Sequence, residues 1–492
     1  MAGIDRRNFL LTALSGLGGL GLASCADSAG TPTLGVGDEI LRDLDANGIH
    51  LRQNIYCLTE YSSDLIAYRK GVKVMMSRPA NDPTSWLAQR AIHWTTAPII
   101  GMIYNQCQHG TLFFLSWHRM YLYWFERIVR AAAGVPSFAL PYWGYTPTGQ
   151  RDLPAPFRLP ADPSNVLWTS NRDPSVNGGT PLAPGVVDPG AALALIPFTS
   201  FQSSLEGTPH GNVHVAVGGW MGTVPNAALD PIFYLHHAQI DRLWEVWLAM
   251  GGGRANPTTP PWTTDVFYFY NEFGAKVGMT GAQIVNTVQQ LCYRYVKCSP
   301  VVAEPTLVAA LDADAARLSD AVGPRPPRGV GEPVADAQVG VRLGARPVTV
   351  RVPLSAGAAD ALRKFEEGGE GNDIVLLLQE VALLQAPRVY YEVYANLSAA
   401  AGDTTYGSPN FTGNLDFFGI PAQSDTLHAA HGGSLRRLSL LRAYSYLRSR
   451  GQWNDAELTL TFVPRGYTED VDPARVLSSD QAVIGAISVQ LQ

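Results

Sequence analysis

Seven of the chain's ten histidines gather in two stretches, and this restricts the fold more than any other feature. One set is His93, His109 and His118, in AIHWT (91–95), NQCQHG (105–110) and LSWHRM (115–120). The other is His210, His214, His236 and His237, in EGTPHGNVH (206–214) and HHAQIDRLW (236–244). His210 and His214 stand four residues apart, which puts both imidazoles on one face of a helix. His118 opens LFFLSWHRMYLYWFERIVR (112–130), whose apolar residues recur at helical spacing around Arg119, Glu126 and Arg127. Residues 236–249 read the same way. A single buried histidine is more often a hydrogen-bonded core residue than a ligand. Two sets of three on separate apolar helices are harder to explain so. Inward-pointing imidazoles on facing helices are how bundles build metal sites, and nitrogen donors without a carboxylate partner favour copper or zinc over magnesium or calcium.

The chain around these sets is long enough, at 492 residues, for two or more domains. The net charge of −6 and the lack of a basic stripe give no reason to expect nucleic acid. Residues 1–25 read as an export signal: DRRNFLL (5–11) carries Arg6 and Arg7, and a short apolar run leads to LASC (22–25). The paired arginines suggest the twin-arginine route. Cys25 is either a lipid-modified first residue or a neighbour of an ordinary cleavage site. The mature chain is thus expected in the periplasm or outside the cell, touching membrane only through such an anchor. Residues 45–300 read as helical islands in long loops, with 146–200 rich in Pro, Gly, Asn and Asp. Residues 301–345 read as a Pro/Gly-rich linker. From 346 to 492 the runs VTVRVPL, DIVLLLQEV, RVYYEVYANL and ELTLTFVPR predict an all-β sandwich or barrel. Cys57, Cys292 and Cys298 permit a disulfide, with the pairing open.

The two histidine windows resemble the copper-binding regions of the type-3 dicopper superfamily of tyrosinases, catechol oxidases and hemocyanins. The first is similar in its nine-residue step from His109 to His118 within F-L-x-W-H-R, and the second in DPIFYLHHAQIDRLW (230–244). WTTDVFYFYNE (262–272) and YRY (293–295) resemble segments closing the catalytic domain of plant polyphenol oxidases. YYEVYANL and TLTFVPRG resemble their C-terminal domain more loosely. The resemblance implies a mainly α catalytic domain, a four-helix bundle holding two copper ions, followed by the β domain as a lid. It implies His93, His109 and His118 for the first copper, and His210, His214 and His237 for the second. His236 is then structural, because Asp241 lies four residues beyond the second histidine of the pair.

It also implies an activity, the oxidation of o-diphenols to o-quinones by dioxygen, with monophenol hydroxylation left open. The alternatives are an o-aminophenol oxidase and a hemocyanin-like dioxygen carrier. Cys107, two before His109, matches a cysteine that forms a thioether to the imidazole; otherwise it is a small buried thiol. Phe233 matches an aromatic residue between the metals. Val224 falls where the family places a gate residue. Glu206 matches a water-positioning glutamate and a route for phenol deprotonation, or is an ordinary surface carboxylate. Gly211 stands where family members active on monophenols often carry Asn, so Val224 and Glu206 argue for hydroxylation and Gly211 against it.

Overall fold

The computed structural model describes residues 48–296, 333–368, 373–397, 407–420 and 435–492. The export signal, Cys25, Cys298, His428, His431 and most of the expected linker lie outside these residues. A helical region carries the histidines and a region of β-sheet follows it.

The helical region is built from α1 (Ser63–Ser77), α2 (Trp86–His93), α3 (Phe114–Ala133), α4 (Phe198–Leu205), α5 (Asn212–Val217) and α6 (Ile232–Ala249). Strand β1 (His50–Gln53) pairs with β4 (Tyr293–Val296), and β2 (Phe267–Tyr270) with β3 (Lys276–Met279). Each helix starts or stops for a local reason. The Ser85 hydroxyl accepts from the Ala88 N–H and opens α2. Gly134, at φ 66°, closes α3 in the left-handed conformation that glycine adopts freely. At the head of α6, Asp230 accepts from the Ile232 N–H while its carboxylate forks onto the buried Arg172 at 2.6 and 2.7 Å. Both α3 and α6 bury Leu, Ile, Phe and Trp side chains in one core, which places His118 and His237 inside it.

A buried ionic network locks α3 to α6. Asp241 accepts from Arg119 Nε at 2.5 Å, from Arg52 Nη1 at 3.4 Å, and from the Tyr293 and Tyr295 hydroxyls at 2.6 Å each. Arg52, fully buried, also binds Glu126 at 2.7 Å and lies over the Tyr293 ring. The Tyr-x-Tyr motif thus has a physical role, since its hydroxyls hold the carboxylate that neutralises two buried arginines.

The β region holds two sheets, ordered β10-β9-β12-β6 and β11-β7-β13-β5, with β8 (Ala382–Leu383) beside β13. Their strands are β5 (Pro333–Leu343), β6 (Val348–Pro353), β7 (Ile374–Gln379), β9 (Val389–Ala395), β10 (Phe411–Leu415), β11 (Arg436–Ser439), β12 (Glu457–Gly466) and β13 (Ala482–Leu491). Side chains from both sheets share one core, and no barrel closes among the described residues. The end of the expected linker is corrected: Pro333–Leu343 forms β5, paired with β13. Its Val339, Val341 and Leu343 alternate with exposed Gln338 and Arg342, a period of two that the neighbouring prolines and glycines obscure. No helix of the described residues is long and apolar enough to cross a membrane.

The two regions are packed together. Strand β9 is buried on both faces: Val389, Tyr391, Val393 and Ala395 enter the sheet core, whereas Tyr390 joins the helical core. Asn414 Nδ2 donates to the Gly185 carbonyl at 2.8 Å, and Arg151 pairs with Glu469 at 2.6 Å.

Removing the hub of the ionic network tests its importance. Asp241→Ala leaves Arg52 and Arg119 under-neutralised in the core, and should cost about 3–5 kcal/mol of unfolding free energy in a denaturant titration.

Candidate metal centre

Five of the seven clustered histidines have an Nδ1 partner, and at four of them that partner fixes the Nδ1 proton. The His118 Nδ1–H donates to the Phe114 carbonyl at 2.7 Å, that of His210 to the Glu206 carbonyl at 2.9 Å, and that of His214 to the Met221 carbonyl at 2.9 Å. His109 Nδ1 lies 3.1 Å from Glu206 Oε1, and His236 Nδ1 lies 3.3 Å from the Tyr145 hydroxyl. A carbonyl oxygen or carboxylate can only accept, so at His109, His118, His210 and His214 the proton sits on Nδ1 and Nε2 presents a lone pair.

The local chain explains how these rings converge. His93 ends α2, His118 lies in the second turn of α3, and His237 lies in the second turn of α6. His210 sits in a wide π-type turn, Glu206–Gly211, that breaks at Thr208 (φ −137°) before α5 begins. The break precedes both histidines, and Gly211 and Asn212 are right-handed helical, so His210 and His214 share one helical face with ring centroids 4.6 Å apart. His93, Cys107, His109 and His118 form one group of donor atoms within 4.8 Å of one another, and His210, His214, His236 and His237 form a second. The groups adjoin: the His118 and His237 rings stack at 4.4 Å with an interplanar angle of 12°.

The donor set suits a soft or borderline cation bound by nitrogen. Burial first, then the neighbouring imidazoles, hold His118, His210, His214 and His237 far below the ordinary imidazole range, and burial does the same at His93. His236 is lowered to about 3 by burial. Neutral imidazole is the form that ligates. His109 Nε2, His210 Nε2 and both ring nitrogens of His93 are buried without a hydrogen-bond partner. His214 Nε2 and His237 Nε2 stand 3.2 Å apart. Such inward-facing lone pairs demand a shared proton or a cation, and a pair of copper ions fits them.

Around the rings, Phe233 is fully buried and meets His93 edge-on at 4.9 Å and His237 at 4.3 Å, so it stands between the groups. Cys107 Sγ is 3.9 Å from His118 Nε2 and is the free cysteine among the described residues. Cys57 and Cys292 are each disulfide-bonded. Glu206 is no loose surface carboxylate: Oε1 accepts from the Gly110 N–H at 2.7 Å as well as facing His109. Val224 is half-buried beside the helical core.

Two residues escaped the sequence reading, both in the DFFGI segment after β10. Phe418 stacks on His214 at 4.1 Å and 13°, and meets His109 and His210 edge-on. Asp416 lies so close to Gly211 that a Cβ there would stand 2.5 Å from Asp416 Oδ1. The bare Cα of Gly211 is thus a packing requirement of the β region.

Comparison with known proteins decides the family. The common central domain of tyrosinase matches residues 83–179 and 168–250, and a domain of unknown function, DUF7868, matches 330–489. A tyrosinase of Hahella sp. (strain CCB-MM4) is 30% identical over 467 residues, covering 84% of this chain and 95% of that protein. The chain belongs to the tyrosinase family. The latent chloroplastic polyphenol oxidase of Prunus armeniaca is 28% identical over 285 residues, covering 47% of this chain and 46% of its own length. Among solved structures, latent aurone synthase aligns with a TM-score of 0.62 at 21% identity, covering 90% of this chain and 89% of that one. Latent apple tyrosinase aligns at 0.61 and 20% identity, covering 90% and 97%. These share the fold, helical region and β-sheet domain alike. Like its family, this tyrosinase-type oxidoreductase uses copper to oxidise phenols with dioxygen.

Elemental analysis of the copper-loaded protein should find about two ions per chain, and about one in His118→Ala or His214→Ala. His236→Asn should keep both, because the His236 ring faces the His210 backbone carbonyl as well as the Tyr145 hydroxyl, and the family pattern takes the second histidine of the pair as the ligand.

Proposed function

We propose that the protein oxidises o-diphenols to o-quinones, with His93, His109 and His118 holding one copper and His210, His214 and His237 the other. The observation that carries this is the face-to-face approach of His118 and His237 at the junction of two neutral imidazole groups. The copper pair, when bound, supplies electron exchange between catechol and dioxygen, each dioxygen being reduced to water by two catechols. Four helical pieces would serve as the bundle that holds the pair: α2, α3, the π-type turn with α5, and α6. The two sheets would form a sandwich.

The chain's own residues then have separable roles. The carbonyls of Phe114, Glu206 and Met221 keep three rings in the tautomer that ligates. Phe233 fills the space between the groups and excludes water. Glu206 orients His109 through Oε1, and its Oε2, without a hydrogen-bond partner among the described residues, is the atom that would take a phenol proton. With Val224 as a gate of modest size, this favours monophenol hydroxylation as a second activity. Cys107 would join the His109 imidazole by a thioether, the thiol and a ring C–H each losing a hydrogen to dioxygen as oxidant. Arg6 and Arg7 would direct export, with Cys25 as a candidate lipid anchor.

The β domain is proposed as a lid. A substrate ring entering the site would take the place that the Phe418 phenyl takes against His214. The full-length chain should therefore oxidise catechol slowly. Phe418→Ala should raise that rate by roughly tenfold, the factor that ~1.4 kcal/mol of lost contact gives. Cleavage between 300 and 332 should raise it too, once the lid is displaced. Unchanged turnover in both would mean that the domain is no lid. Peptide mass analysis should find the Cys107 peptide lighter by two hydrogens after copper loading, whereas a freely alkylated Cys107 in active protein would refute the thioether.

A further inference from the structure

Arg90 is an arginine whose hydrogen-bond partners include no carboxylate. It is half-buried on α2, one turn before His93, and burial holds its pKa below the usual guanidinium range. Its three acceptors are all neutral: Nε donates to the Pro225 carbonyl at 2.8 Å, Nη1 to Thr95 Oγ1 at 2.8 Å, and Nη2 to Asn226 Oδ1 at 3.0 Å. Removing a cation from water without a counter-charge is unfavourable, and a flat five-donor fork satisfied by three neutral acceptors acts as a strut.

What the strut joins is specific. Pro225 and Asn226 directly follow Val224, whose carbonyl faces the His93 ring without closing a full hydrogen bond. Asn226 then leads through the turn Ala227–Leu229 to Asp230 at the head of α6. Thr95, the third acceptor, also receives the Ala97 N–H at 3.1 Å, while its own N–H donates to Asn105 Oδ1 at 2.7 Å. Asn105 is where the chain turns, at φ 52°, toward Cys107 and His109. One side chain thus ties together the end of α2, the loop bearing His109, and the segment bearing Val224.

We infer that Arg90 is a positioning residue for substrate selection, fixing where Val224 stands over the first copper site and so which ring substituents the pocket admits. The inference rests on the proposed reading of Val224 as the gate. A lysine at 90 can reach one of the three acceptors but cannot span them, so Arg90→Lys should give an intermediate effect.

The test compares kcat/KM for catechol and for a catechol bearing a tert-butyl group, using copper-loaded full-length protein. Wild type, Arg90→Ala, Arg90→Lys, Val224→Ala and the Arg90→Ala/Val224→Ala double variant are measured, with bound copper determined for each. In Arg90→Ala the ratio between the two substrates should shift by roughly threefold or more, through KM rather than kcat, with copper unchanged. Arg90→Lys should shift it less, and it reports alone if the alanine variant does not fold. Val224→Ala should add little once Arg90 is gone. An unchanged ratio in both Arg90 variants beside a shifted ratio in Val224→Ala would overturn the role of Arg90 alone. An unchanged ratio in Val224→Ala as well would show that Val224 is no gate, and the inference would fall with that reading. Loss of copper in both Arg90 variants would also overturn it, placing Arg90 in support of His93 instead.

Discussion

Two neutral imidazoles pressed ring to ring in a dry core, His118 from α3 and His237 from α6, are the arrangement on which the rest of the molecule depends. The rings cannot be held there by each other, because neutral imidazoles have little reason to meet in an apolar interior. The helices must be fixed first. Arg119 follows His118 directly, Asp241 lies one turn beyond His237, and the two close an ion pair at 2.5 Å. The clamp is made of the residues nearest the ligands, so it fixes their relative position rather than only the helix ends. Arg52, Tyr293 and Tyr295 complete it from β1 and β4, which explains why the last strand of the helical region carries a tyrosine pair.

The same logic runs outward. Each ring whose Nδ1 is tied to a fixed acceptor has its lone pair aimed inward before any metal arrives, so binding need not also reorganise tautomers. Glu206 extends this across the site: it belongs to the turn that carries His210, yet its carboxylate engages His109 of the other group. Phe418 and Asp416 show the β domain meeting the same turn, at a glycine with no room for a side chain.

How much of this was legible in the sequence depended on the kind of constraint. The histidine sets stood out because ligation demands one residue type at fixed places, and α3 and α6 because their apolar spacing repeats over several turns. Strands β6, β7, β9 and β12 were visible as β-branched and aromatic runs. Strand β5 was hidden by the Pro- and Gly-rich residues before it. Phe418 was hidden for a different reason: an aromatic residue in an apolar run reads as core, and its contact with His214 joins positions about two hundred residues apart that no local pattern links. Arg90 belongs to no sequence motif, and only the distances to Pro225, Thr95 and Asn226 distinguish it.

The central claim is that the two imidazole groups form one coupled copper pair rather than two separate sites. Electron paramagnetic resonance of the fully copper-loaded, oxidised protein tests it most directly, because two bridged Cu(II) ions couple and lose their signal. The account predicts two coppers per chain with nearly no detectable spin. A full signal from both ions, at the same copper content, would contradict it.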